Sequence, residues 1–224
     1  MLYIFLLSIN HANFSLISCG IYPIKTISII LDPAIEEAQE IASQYIENDA
    51  KYGTINGEID ELTPCLRRLN DNTFVETKFI VGTPSKKVLK DWEFDWSIEE
   101  DKGFKVSQLY VKGDKRIQGL VATKVRKDLL AIEVDIVESA PFNNPHHKNF
   151  VKKEYLGVGG HLFAEAIRQS YEAGYDGYVT FTAKTNLVEY YKNELGATQI
   201  GNTQKMYIDE RSAKKLYERY FKNK

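Results

Sequence analysis

Leu156-Gly157-Val158-Gly159-Gly160-His161-Leu162-Phe163 is the stretch on which the reading of this chain turns. Its glycines stand just before Leu162, Phe163, Ala166, Ile167 and Tyr171, which share one face of a helix closed by Gly174. Glycine lets the backbone turn with several N–H groups facing one point, and a helix amino terminus adds positive partial charge. Such a turn can hold a phosphate or pyrophosphate without a cationic side chain. Neither common nucleotide motif fits. His161-Leu162 follows where a Walker loop needs Gly-Lys-Ser/Thr, and Leu162 stands at the last glycine of a dinucleotide fingerprint. From the glycines alone, a ligand-free helix start explains them equally well.

Upstream, Lys105 to Lys112, Ile117 to Arg126 and Leu129 to Val137 alternate or run apolar. Gly113-Asp114-Lys115 and Lys127-Asp128 punctuate them, which predicts consecutive antiparallel strands. Between these strands and the glycine turn lies the polar stretch Glu138 to Leu156, long for a connection and of the kind that carries function. Downstream, Tyr178 to Ala183 reads as a strand, so strand, helix and strand predict a right-handed crossover with parallel strands. Leu187 to Leu195 reads as a short helix stopped by Gly196, Gln204 to Ile208 as a last strand and Arg211 to Phe221 as a terminal helix. The predicted class is α/β: a mixed, mostly antiparallel sheet flanked by helices and split near the crossover, with an N-terminal extension.

The stretch from Ile117 to Ile208 resembles the GCN5-related N-acetyltransferase (GNAT) superfamily. The resemblance rests on the hairpin strands, the Leu156–Phe163 turn and Tyr190-Tyr191-Lys192-Asn193-Glu194-Leu195-Gly196-Ala197, in that order. Glu138-Ser139-Ala140-Pro141-Phe142-Asn143 is also similar to the Glu-x-Ala-Pro-x-Asn segment of one branch. The resemblance implies that Gly157, Val158, Gly159 and Gly160 bind the pyrophosphate of acetyl-CoA as cosubstrate, and that a tyrosine stands near the CoA sulfur. The chain departs from the family pattern at three places. Glu154 occupies the Gln/Arg position of the phosphate loop, leaving Lys152 or Lys153 as the local cation. Tyr191 stands five residues before Gly196 where four is commoner, so Tyr190 is the alternative. Asn186 is nearer to Tyr191 than the family's CoA-contacting Asn.

The chemistry so implied is aminolysis of a thioester. A backbone N–H between Val137 and Ser139 would polarise the carbonyl. Glu138, with Glu133 or Asp135 behind it, would take the ammonium proton. Tyr191 would protonate the departing sulfur. Glu133 and Asp135 share a strand face opposite Ile132, Val134 and Ile136, which a solvated outer face also explains. The expected function is transfer of an acetyl group from acetyl-CoA to a primary amine on a small molecule or peptide. The alternative is a non-catalytic GNAT-fold module that binds acyl-CoA or a protein partner.

Composition fits this reading. With 29 basic and 31 acidic residues the chain has no global field for nucleic acid, so any anion must be bound locally. At 43% hydrophobic residues it can bury a sizeable core. Cys19 and Cys65 are in no metal or redox spacing, and adjacent His146 and His147 have no third ligand placed with them, so no metal is expected. Trp92, Phe94 and Trp96 alternate as a strand does. Residues 1–31 form an apolar segment without the positive start of a secretory signal, although Leu16-Ile17-Ser18-Cys19 resembles a lipoprotein box. A strand, a tail or an over-extended start also explains it, and a cytoplasmic chain is expected, with a membrane or lipoprotein segment as the minority reading. The expected organisation is residues 1–31, then 32–100 as an extension or small lobe opening with an amphipathic helix from Asp32, then 101–224 as the GNAT-like domain.

Overall fold

The hairpin strands form, and they occupy the middle of a larger sheet. The computed structural model describes residues 65–148 and 150–222; the apolar segment 1–31, the helix expected from Asp32 and Cys19 lie outside them. Four short or edge elements come first: β1 (Leu66–Arg68), β2 (Phe74–Val75), β3 (Thr77–Val81) and a loop of 3-10 turns that reaches β4 (Lys105–Val111). Then come β5 (Ile117–Arg126), β6 (Ala131–Ser139), β7 (Tyr155–Leu156), α1 (Val158–Glu172), β8 (Val179–Thr182), α2 (Val188–Leu195), β9 (Thr198–Gln199), β10 (Lys205–Ile208) and α3 (Glu210–Tyr217), continued by a π-helical turn at Glu218–Lys222.

The main sheet runs β3-β4-β5-β6-β8-β10-β9, and β2-β1-β7 makes a small one. Only β6 and β8 pair in parallel among the main sheet's strands, across the α1 crossover, as the strand-helix-strand order predicts. The sheet reaches back past the boundary expected at residue 101, because β3 pairs with β4 along its whole length.

Two departures from strict alternation shape the site. The pairing of β5 with β6 shifts register between Val121↔Val137 and Thr123↔Val134, a bulge that puts one extra residue into β6. One inserted residue exchanges the faces of everything beyond it. Ile132 and Val134 therefore join the core under α1 together with Val137, while Ile136 joins the cluster of Trp96, Val106, Leu120 and Ala122 on the other face. The expectation that Ile136 would share a face with Ile132 and Val134 is thus corrected. The second departure concerns the segment Trp92–Trp96, which is a loop between 3-10 turns at Leu89–Asp91 and Trp96–Ile98, and not a strand. The amides of Glu93 and Phe94 go to the Glu138 side chain instead of a neighbouring strand.

Candidate active site at the split of the sheet

The parallel pairing of β6 with β8 ends at Val134↔Phe181, immediately before the bulge, while β6 runs on to Ser139 beside β5. The two strands part there. Ala140 donates its N–H to Gln118 O on β5. Since amides alternate sides along a strand, those of Ser139 and Val137 point the other way, toward the side that β8 has left. Both lie in the Val137 to Ser139 stretch from which a backbone N–H is expected to polarise a carbonyl.

The glycine turn stands over the same strand end. Gly157 is the N-cap of α1 at φ 90°, a conformation that side chains rarely tolerate, and His161 N–H closes the first helical turn on Gly157 O. The turn can come this close because of Gly119, paired with Ser139 on β5. A Cβ at Gly119 would lie 2.8 Å from both Leu162 Cδ1 and Val158 Cγ1 and 3.1 Å from Glu138 O. A lone glycine in a strand pattern is a sign of such close approach, and sequence reasoning passed over it. Gly157, Val158, Gly159 and Gly160 are all buried, and the Tyr220 hydroxyl of the C-terminal π turn donates to Gly157 O at 3.4 Å.

Glu154, at the Gln/Arg position of the loop, does not present a bare negative charge. Arg116 donates to both its oxygens, at 2.9 and 2.7 Å, and also to Asp114. These partners push the Arg116 guanidinium further up from its already high range. Lys152 is exposed and Lys153 half-buried. The long loop is held by Asn143, a residue the sequence reading quoted without a role. Its side chain accepts from the N–H of Glu154 and Tyr155, both at 2.9 Å, and donates to Tyr155 O at 2.7 Å. Asn143 thus fixes where the chain enters the glycine turn.

Glu138 is 1% exposed, and its carboxylate faces the 92–96 loop. It accepts from Glu93 N–H at 2.7 Å, Phe94 N–H at 3.4 Å and Trp96 Nε1 at 2.7 Å. Burial pushes its carboxyl above the usual range, and the three donors oppose that rise. Of the two reserve carboxylates, Glu133 is paired with Arg126 and Asp135 with Lys102. Tyr191 is fully buried, with its ring against Phe181 at 5.4 Å and Phe163 at 6.1 Å, so it stands where β8 leaves β6. Tyr190 is half-buried and packs edge-on against Tyr191. Asn186 is exposed in the 3-10 turn Thr185–Leu187 that precedes α2. The structure therefore gathers Val137, Ser139, Glu154 and the glycine turn at one strand end, with Tyr191 at the parting of the strands. Glu138 belongs to the same strand end but faces the opposite side of the sheet.

No helix among the described residues is long and apolar enough to cross a membrane, and among them no three His, Cys, Asp or Glu side chains converge as metal ligands would.

No protein-family model matches this sequence, and no curated protein matches it. A solved structure that is similar is the catalytic domain of the Tetrahymena GCN5 histone acetyltransferase in complex with coenzyme A. It is 12% identical over 58% of this chain and 81% of that one, with a TM-score of 0.37. At that score the reading of the site rests on the site's own geometry.

Proposed function

We propose that this chain is an acyl-CoA-dependent N-acyltransferase that moves an acetyl group from acetyl-CoA to a primary amine. The observation that carries the reading is the strand end: two amides turned into the gap left by β8, beside a glycine-capped helix amino terminus. A thioester whose pyrophosphate sits on the turn would bring its carbonyl within reach of the Val137 and Ser139 amides, which stabilise charge developing on oxygen. Binding energy from the remote phosphates holds the reacting carbon in place.

In the transfer, the ammonium first loses one proton, the neutral nitrogen bonds to the acyl carbon, the C–S bond breaks with its electrons going to sulfur, and the second proton that leaves the nitrogen balances the one that the sulfur takes up. Tyr191 is assigned to the sulfur, which it protonates or stabilises as a thiolate. Because the Glu138 oxygens already accept three donors, we assign Glu138 to positioning the 92–96 loop, and the ammonium proton to solvent. Gly157, Val158, Gly159 and Gly160 are assigned to the pyrophosphate, with Glu154 neutralised by Arg116 beside them and Asn186 at the edge of the cofactor side.

The engagement of Glu138 and the burial of Tyr191 favour a second reading, a module that binds acyl-CoA without turning it over. Free-thiol release from acetyl-CoA over a panel of primary amines separates the two. Amine-dependent thiol release, slowed by roughly 10²–10⁴ in Tyr191→Phe and much less in Tyr190→Phe, supports the enzyme. Thermal stabilisation by CoA with no thiol release supports the binding module.

A further inference from the structure

We propose that the acceptor enters on the face of the sheet opposite α1 and that it is a monoamine carrying an aromatic ring; this rests on the acyltransfer reading above. A cavity of 670 Å³ lies there, within the range of small-molecule sites. Its wall includes Ala140 and Phe142, the residues that follow the end of β6, so it meets the strand end whose amides face the split.

Trp92, Tyr110 and Phe142 line the cavity together with Ile117, and each ring is held by a neighbouring side chain. Trp92 packs edge-on against Trp96 at 6.3 Å, and Trp96 Nε1 is fixed by Glu138. The Tyr110 hydroxyl donates to Gln108 Oε1 at 2.8 Å, and Gln108 Nε2 donates to Gly82 O at 2.6 Å. Phe142 carries the Arg116 guanidinium over its face at 4.4 Å. Rings fixed in this way form a slot that a ligand does not have to organise, which is where affinity for a flat apolar body comes from.

Charge decides which end of such a ligand goes where. Arg116 also lines the cavity, but its guanidinium is already shared between Asp114 and Glu154. Among the described lining residues the one carboxylate is Asp91, which suits an incoming ammonium. With Lys115 on the same wall, the single carboxylate of Asp91 balances one ammonium but not several, which favours a monoamine over a polyamine. Glu138 enters this account as a positioning residue, since it holds the Trp96 ring against which Trp92 rests.

Both tryptophans of the chain, Trp92 and Trp96, belong to this cavity or its backing, so intrinsic fluorescence reports on it directly. The test titrates phenethylamine, propylamine and spermidine into the full-length protein without acetyl-CoA, following fluorescence, and then measures thiol release with acetyl-CoA. Saturable quenching by phenethylamine alone is expected, with kcat/KM at least tenfold above that for propylamine. Trp92→Ala and Phe142→Leu, each checked for folding by circular dichroism, should remove that preference by raising KM for phenethylamine while leaving propylamine unchanged. Trp92→Phe should restore most of it. Equal quenching and equal rates for phenethylamine and propylamine, or an unchanged preference in both folded variants, would overturn the proposal while leaving acyl transfer standing. Selective quenching by phenethylamine without thiol release from any amine would uphold the aromatic slot and reject the acyltransfer reading.

Discussion

The two faces of the seven-stranded sheet are closed by opposite means. Under α1, Val121, Val134 and Val137 meet Val158, Leu162 and Phe163 in one apolar cluster, and the approach is set by the absence of a side chain at Gly119. On the other face, residues 82–104 form a loop of short 3-10 turns that must be tied down by polar bonds. One buried carboxylate of the sheet and one lysine of the loop do this. Glu138 takes the amides of Glu93 and Phe94 and the Trp96 indole, while Glu99 is held by Lys102, which also reaches Asp135. A helix satisfies its own backbone and needs only apolar contact, whereas a loop brings its amides to the sheet and needs acceptors there. The same bulge in β6 serves both faces, since it turns Val137 toward α1 and Glu138 toward the loop.

If that contrast holds, the faces should fail differently. Glu138→Ala leaves three donors on the loop face without their acceptor and should cost about 4 kcal/mol in urea unfolding, with loss of the buried Trp96 fluorescence. Glu138→Gln, which keeps one oxygen, should cost clearly less. A loss near 1 kcal/mol for Glu138→Ala would mean that the loop is held by its apolar contacts after all.

The loop face should also respond to pH. Burial pushes the Glu99 carboxyl up to about 7, with Lys102 pulling the other way. A carboxyl raised in the folded state binds its proton more tightly there than in the unfolded chain. Its contribution is therefore fully present below the ordinary value near 4.5 and is lost as the pH rises to about 7. Wild type should lose on the order of 2–3 kcal/mol more than Glu99→Gln across that window in pH-resolved denaturant melts. Parallel curves for the two proteins would remove Glu99 from the account.

The helix face should respond to volume instead. Gly119→Ala puts a methyl group against Val158 and Leu162 and should cost about 1–2 kcal/mol, nearly independent of pH, while weakening CoA binding by displacing the first turn of α1. The smallest effect belongs to Glu154→Gln. Its pair with Arg116 is half-exposed, so stability should change by less than about 1 kcal/mol. CoA affinity should rise a few-fold because a negative charge has left the phosphate side.

The same contrast explains what could be read in the sequence. The hairpins, the α1 crossover and the helix start at the glycines follow from alternation, 3.6-residue spacing and glycine placement, and they appear within a few residues of where those patterns put them. The loop face was misread because Trp92, Phe94 and Trp96 have the spacing of a strand, and nothing local says that the amides of Glu93 and Phe94 and the Trp96 indole go to a glutamate more than forty residues later. The direction of Glu138 depends on a bulge whose position is set by pairing, which one strand's sequence does not contain. Arg116 and Glu154 lie 38 residues apart in the chain, so the neutralisation of the phosphate-loop carboxylate is likewise a product of the fold. Asn143 was nearer to hand: a buried Asn at the mouth of a long loop is a natural bridge for backbone groups.

The central claim is that the split end of β6 and the turn at Gly157 form one acyl-CoA site. Amide hydrogen exchange of the full-length protein, with and without saturating CoA, tests it most directly. The account predicts that CoA slows exchange at Val158 to His161 and at Val137 and Ser139 together, with the hairpin amides at Lys127 to Leu130 unchanged. Exchange at both sets unaffected by CoA, or protection confined to another part of the chain, would contradict it.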